Sequence, residues 1–427
     1  MSPKLPLPSF FESLATLRKE TGLRTTLLGI GPMSKRIVRV SLELAQRKRF
    51  PLMFIASRNQ VDLSELGGGY VCSWDQGSFV EAIGELAEEV GFAGLCYVCR
   101  DHGGPWQRDS ERRDKLAPEK AMEIAKRSYL ADLLRGFDLL HIDPTKDPHP
   151  PSGSELETVI RRTVELIEYI EAERKSRSLP PISYEVGTEE TSGGLTDAAV
   201  YEGFIERLNS ILSAKGLPLP AFIVGQTGTL VRMTKNVGRF DSEAAEALSR
   251  IAVKHSTGLK EHNADYLDDA TLLRHPLLGI TAANVAPEFG VEETAAYLEL
   301  GRVEQTARSG GDIPSGSHIV DIIARKAVAG ERWRKWMIGD EGKISAQEAE
   351  KNDNIRMQIA HISGHYTFDD PEVLEALDKL RQNLSALGID MDRYVDRRVE
   401  NSIDRYVTCF NLENLTARVF HQTQSHV

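Results

Sequence analysis

A (β/α)8 TIM barrel with a helical C-terminal extension is the fold that this chain of 427 residues predicts. Three observations predict it. Apolar runs of strand length alternate eight times with helix-spaced segments over about 290 residues, polar residues collect at the ends of those runs, and no Gly-rich nucleotide turn follows the first of them. An open doubly wound sheet would be expected to carry phosphate-binding glycines at that turn.

In chain order, a Pro-containing lead-in and a helical segment at 10–19 precede the first run at 25–31, which Gly31-Pro32 closes. Helical spacing of Ile37, Val40, Leu42 and Ala45 predicts a helix over 35–47, and 51–57 reads as the second strand. Helices at 78–90, 118–134, 154–174, 198–214 and 241–255 then alternate with strands at 95–102, 138–143, 182–190, 221–228 and 258–266. A short connection carrying 267–273 leads to the eighth strand, beginning at 278. The barrel domain is therefore drawn as 1–290. The remainder, 291–427, reads as helices at 292–300, 317–336, 355–362, 371–384 and 395–407, forming a wall over the barrel mouth.

Composition bounds the function. Hydrophobic residues at 41% and charged residues at 27% describe a globular protein able to bury a full core. The 52 Lys and Arg stand against 63 Asp and Glu, and this net charge of -11 argues against nucleic-acid binding, which needs clustered positive charge. Four scattered cysteines make no disulfide framework, so a reducing, cytoplasmic setting is expected, with Cys96 and Cys99 as buried structural thiols. No secretory h-region and no run of about 18 apolar residues occurs, so no membrane contact is expected. A homo-oligomer is compatible with all of this.

The run Leu95-Cys96-Tyr97-Val98-Cys99-Arg100-Asp101-His102-Gly103-Gly104 delivers a carboxylate and an imidazole side by side. Neighbouring residues of a strand point to opposite faces, so both reach one site only if the strand is already turning, as Gly103 and Gly104 predict. The other strand ends supply Asn59, Gln60, His141, Asp143, Glu185, Glu189, Gln226, Glu261, His262, Asp265 and Asn284. Carboxylates and imidazoles converging at the C-terminal face of a barrel can hold one divalent cation, with imidazole suiting Zn, Ni, Co or Mn. His102, Glu189 and His262 are the candidate ligands, Asp143 and Glu185 stand behind them, and His141 is a candidate orienting partner. His361 and His365 have i, i+4 spacing, but Gly364 between them weakens a helical metal pair.

Several phrases resemble a known family: Ser57-Arg58-Asn59-Gln60-Val61-Asp62, Gly68-Gly69-Tyr70, Asp101-His102-Gly103-Gly104-Pro105, His141-Ile142-Asp143, Gly187-Thr188-Glu189 and Glu261-His262-Asn263-Ala264-Asp265-Tyr266. In this order they are similar to the Z-type subunit of class II tagatose-1,6-bisphosphate aldolase, whose relatives include metal-dependent C4-epimerases of ketohexoses and tagaturonate. The resemblance implies a barrel and sugar chemistry. Two departures argue against a bisphosphate. His365 stands where that subunit branch is expected to carry an arginine, and the eighth strand ends in Ala283-Asn284-Val285-Ala286-Pro287 without phosphate-binding glycines.

The activity expected is metal-dependent epimerisation at C4 of a free ketohexose or a keto-acid sugar. The C4 hydrogen is not adjacent to the C2 carbonyl, so inversion needs either a hydride carrier or opening of the C3–C4 bond. The missing dinucleotide fingerprint favours the retro-aldol route. Asp101 is the expected base, with Asp265 or Glu185 as alternatives. Asn59, Gln60, Asp143, Gln226 and Asn284 are expected to bind substrate, and His365 and Tyr366 to close the mouth. The alternatives are a non-catalytic accessory subunit of an aldolase, or a C3-epimerase or isomerase working by proton transfer between carboxylates such as Glu185 and Asp265.

Overall fold

The computed structural model describes residues 5–149, 155–187 and 194–425. Eight parallel strands close a barrel: β1 (Leu27–Ile30), β2 (Leu52–Ser57), β3 (Cys96–Gly103), β4 (Leu139–Ile142), β5 (Ser183–Val186), β6 (Phe222–Val224), β7 (Gly258–Glu261) and β8 (Ala282–Val285). Each pairs with its neighbours in sequence, and β8 closes on β1 with Leu27 opposite Ala282. Every residue of β1, β4, β5, β7 and β8 is buried, as expected of strands covered by side chains within and helices without.

The helices run α1 (Leu7–Thr21), α2 (Lys35–Lys48), α3 (Gln76–Glu89), α4 (Asp109–Arg113), α5 (Pro118–Leu134), α6 (Glu155–Ser176), α7 (Ala198–Ala214), α8 (Ser242–Lys254), α9 (Asp269–Leu278) and α10 (Pro287–Gly310). Beyond them lie α11 (Ile319–Ala329), α12 (Ala346–Lys351), α13 (Asp353–Ser363), α14 (Pro371–Ala386), α15 (Met391–Cys409) and α16 (Leu415–Ser425). Side chains that accept from the first-turn N–H groups start many of them: Ser34 for α2, Asp75 for α3, Asp241 for α8 and Asp268 for α9.

The last connection departs from the sequence reading. Residues 278–281 are not strand, because α9 continues through Pro276 to Leu278 and stops at Gly279, which takes the left-handed conformation. The seventh strand likewise ends at Glu261, since Asn263 and Tyr266 both have positive φ. A short hairpin pairing Val231–Arg232 with Lys235–Asn236 was not legible in the sequence.

One end of the barrel is plugged. Phe10 and Phe11 of α1 pack on Tyr97 and Phe222, at the N-terminal ends of β3 and β6, with ring centroids 5.5 and 5.1 Å apart. The C-terminal end is therefore the open mouth. The division at residue 290 falls inside α10. Helices α11 and α14 form a separate apolar cluster with α10 through Leu298, Ile323, Leu377 and Leu380. The chain then returns, and Val399, Ile403 and Tyr406 of α15 and Val419 of α16 join the barrel's own core.

The longest strand, β3, is anchored from behind. Arg100 is fully buried and gives Nε and Nη2 to the two Asp132 oxygens of α5 at 2.8 and 2.5 Å, while Nη1 reaches the carbonyls of Ala56 and Val61. Breaking such a pair on one side strands a buried charge, which costs about 3–5 kcal/mol. Asp132→Ala is therefore expected to lower unfolding free energy in urea by about that amount, and Arg100→Met with Asp132→Leu to recover most of it. Equal losses in the single and double variants would show that the anchor does not depend on charge pairing.

Candidate active site and metal centre

The pleat is broken where the chemistry lies. Arg100 faces α5, so Asp101 faces the barrel interior, and a regular strand would then turn His102 away. Instead His102 adopts φ 41°, and the register between β3 and β4 shifts between Arg100 and Gly103. This bulge aims both Asp101 and His102 at the mouth. The turn that follows needs its glycines. A Cβ on Gly103 would lie 2.7 Å from the His141 carbonyl oxygen, and one on Gly104, at φ 118°, 2.7 Å from that of Asp143. From behind β2, Arg58 donates to the Gly104 carbonyl at 2.8 Å while paired with Asp62 and Glu111.

Asp101, His102, His141 and His262 each offer one ligand atom, and these atoms lie within 4.8 Å of one another. Hydrogen bonds behind the rings decide which nitrogens carry protons. His102 Nδ1 is 2.7 Å from Asp143 Oδ2, and His262 Nε2 is 2.8 Å from Glu185 Oε1, so each ring donates to a carboxylate through that nitrogen. The remaining nitrogens, His102 Nε2 and His262 Nδ1, then present lone pairs to each other at 3.2 Å. Two lone pairs at that distance call for a positive charge between them. His141 Nδ1 accepts from the His102 backbone N–H at 3.1 Å, and its Nε2 has no partner among the described residues. Three imidazoles and a carboxylate, two of the rings backed by carboxylates, fit a divalent transition metal.

The carboxylates are held in different states. Burial would raise Asp101, but the surrounding His102, His262 and His141 hold it well below the usual range. Burial likewise opposes the ionisation of Glu185, yet Lys260 at 2.5 Å and the nearby imidazoles hold it down to about 2. Asp265 goes the other way. Burial and the neighbouring charge of Glu288 push it up to about 7, even though its Oδ1 accepts from the backbone N–H groups of Ala286 and Glu288 at 3.1 and 2.9 Å. A carboxyl titrating near neutrality inside a cleft is suited to carrying a proton.

A cavity of about 150 Å³ lies over this cluster. Of the residues expected from sequence, Asn59, Gln60, Asp101, His102, His262, Asp265, Asn284 and Tyr366 line it. Asn284 donates to Asp101 at 3.1 Å, and its Oδ1 has no partner among the described residues. Asn59 is also tied to the loop after β3, donating to the Gln107 carbonyl at 3.1 Å. Asp143 and Glu185 stand behind the imidazoles and not in the wall. Gln226 is buried at the end of β6, where its backbone N–H donates to the Thr196 hydroxyl at 2.7 Å. His365 faces a neighbouring cavity. Glu189 lies outside the described residues.

Other wall residues were not singled out from sequence, namely Met33, Lys335 and Trp336, and Tyr70 was named only within a family motif. Trp336 and Tyr366 make the roof, the indole donating to the phenol oxygen at 3.0 Å, and Tyr70 meets Tyr366 edge-on at 4.8 Å between centroids. The hairpin supports this roof, Met233 N–H donating to the Trp336 carbonyl at 2.8 Å. The dense basic and aromatic run Arg332-Trp333-Arg334-Lys335-Trp336 was the available signal.

With this geometry in view, comparison with known proteins shows what the chain is similar to. Over residues 12–210 the chain matches the D-tagatose-1,6-bisphosphate aldolase subunit GatZ/KbaZ-like family. No curated protein matches the chain by sequence. Among solved structures it is similar to a probable tagatose 6 phosphate kinase from Sinorhizobium meliloti 1021, with 18% identity, a TM-score of 0.72, and 90% of this chain covering 100% of that one. It is also similar to the fructuronate-tagaturonate epimerase UxaE from Cohnella laeviribosi, with 12% identity, a TM-score of 0.57, and 91% of this chain covering 81% of that one. At these identities the likeness establishes the shared barrel fold. Among the described residues, no helix is long and apolar enough to cross a membrane.

The raised Asp265 carries a pH signature. An unfolded chain releases this proton near pH 4, whereas the folded protein keeps it until about pH 7. Its contribution to stability is therefore complete below pH 4 and lost as pH rises through 7, a penalty on the order of a few kcal/mol. Asp265→Asn is expected to flatten this part of the stability profile and to raise Tm at pH 8 above that of the unaltered chain. An unchanged slope between pH 4 and 7 would contradict the assignment.

Proposed function

We propose that this chain is a metal-dependent epimerase inverting C4 of a free ketohexose such as fructose or tagatose, or of a keto-acid sugar such as tagaturonate, by retro-aldol opening of the C3–C4 bond. One observation carries this reading: imidazole lone pairs facing each other beneath a small cavity whose wall also holds a carboxyl titrating near pH 7. His102, His262, His141 and Asp101 would hold the metal, with Glu189 retained as a further ligand. When bound, a divalent ion such as Zn, Ni, Co or Mn supplies a Lewis acid for a ketose carbonyl.

The chain's own groups do the rest. Asp265 takes the proton of the C4 hydroxyl and later returns it, because its pKa lies near the working pH. Asp101 is ionised and occupied by Asn284, so it serves better as a ligand than as the base that the sequence reading placed there. Asn284, Gln60 and Asn59 line the same wall and would hold substrate hydroxyls through their amides. The helices beyond 290 cover the mouth, and Trp336, Tyr366 and Tyr70 retain the freed aldehyde while it turns over. Direct proton transfer between Glu185 and Asp265 is disfavoured, because Glu185 is closed off by Lys260 and His262.

The purified chain is expected to interconvert fructose and tagatose, or the corresponding uronates, without another subunit. In deuterated water the product should keep its original C4 hydrogen; stoichiometric deuterium at C4 would exclude the retro-aldol route. Complete lack of turnover with the whole panel of ketoses and uronates would favour an accessory subunit. His102→Ala and His262→Ala should lower bound metal together with activity. Asp265→Asn should lower kcat by about 10²–10⁴-fold with metal content unchanged.

A further inference from the structure

Behind Tyr70 and Met33, which it shares with the reactive cavity, lies a second cavity of about 330 Å³. Its volume falls in the range of small-molecule sites, about 300–1,000 Å³, which the reactive cavity alone does not reach. One buried group in its wall is unexplained. His365 is 3% exposed, and neither of its ring nitrogens has a hydrogen-bond partner among the described residues.

The orientation of that ring is set by its back. A Cβ on Gly290 of α10 would lie 2.7 Å from His365 Cγ and 3.1 Å from its Cδ2, so the carbon edge rests on the bare helix. Beyond this contact the residue lines the cavity. Burial, with Lys335 and Arg332 nearby, pushes the imidazole down to about 3, so it is neutral at physiological pH and offers one donor and one acceptor. Leaving both unpaired in the interior is costly, and a hydroxyl group, which also donates and accepts, pairs with either nitrogen.

The rest of the wall has the same character. Phe368 and Tyr297 provide aromatic surface, Ser34 and Glu293 provide polar atoms at the depth, and Glu293 is held by the Ser34 hydroxyl at 2.5 Å. Lys35, Arg36 and Arg381 balance Glu293, Asp369 and Asp378, so the lining carries no net charge to select an ion. We propose that this cavity binds a neutral polyhydroxylated ligand, a sugar or sugar alcohol, with His365 pairing to its hydroxyls. Such a ligand is either a second molecule or the far end of the one in the reactive cavity.

Sorbitol, which has no carbonyl to react, separates these cases and makes the test independent of epimerase activity. Calorimetric titration of the full chain is expected to give two sites per chain if the ligand is a second molecule. One of them should survive Asp101→Asn and disappear with His365→Phe. A single site lost in both variants assigns the cavity to the far end of one molecule. In either case His365→Phe should weaken binding about tenfold or more. Leu377→Trp, which adds bulk to the cavity wall, should do the same and serves where the His365 variant does not fold. Unchanged sorbitol affinity in these variants, or crystals soaked in sorbitol that show only water against His365, would overturn the proposal.

Discussion

The bend in the third strand depends on what stands behind it. Arg100 points outward and is locked to Asp132, so the next residue must face the interior, and the bulge at His102 brings a second functional group to the same mouth. Regular pairing would have cost the site one of its two groups. The price of the bulge is a non-glycine residue at positive φ and two crowded glycines, held by the Arg58 bond to the Gly104 carbonyl. Arg58, Asp62, Glu111, Arg100 and Asp132 thus form a buried ionic scaffold with no direct part in the cavity. It ties the loops after β2 and β3 to each other, and β3 to α5.

Three carboxylates near the mouth differ in what surrounds them, and that difference separates their proton affinities. Glu185 has a lysine within hydrogen-bond reach and stays ionised behind His262, fixing that ring's tautomer. Asp101 is surrounded by imidazoles. Asp265 faces a second carboxylate, Glu288, which is itself occupied by the Tyr266 N–H and the Tyr406 hydroxyl, and so it retains its proton to a much higher pH. Tyr406 belongs to α15. The C-terminal extension therefore reaches the electrostatics of the site as well as its roof.

The roof itself is built from segments far apart in the chain. Trp336 follows a single turn of 3-10 helix, Tyr366 lies in another, and the hairpin after β6 supports the first of them from the barrel side. Arg332 stacks over both Tyr70 and Tyr366, at 4.5 and 5.4 Å from the ring centroids, which ties the roof to the loop after β2. Short, irregular elements of this kind suit a cover over a cavity.

By itself the sequence determined the barrel, because eight alternations of strand and helix period are local patterns that only one closed parallel arrangement buries well. It also marked most of the polar strand ends, since in a barrel those ends share one face whatever the loops do. Resemblance in short motifs named the family later matched over residues 12–210. What it could not reveal was direction and distance. Arg58 and Asn59 are neighbours in one motif, yet one is a scaffold cation and the other a wall residue. Asp101 read as the expected base and Asp265 as an alternative until Glu288, brought close by the start of α10, separated their proton affinities. Tyr70, Lys335 and Trp336 joined the wall only through packing across the chain. Periodicity is written in nearest neighbours along the sequence, whereas lone-pair opposition, burial and the pairing of charges are properties of atoms that meet only after folding.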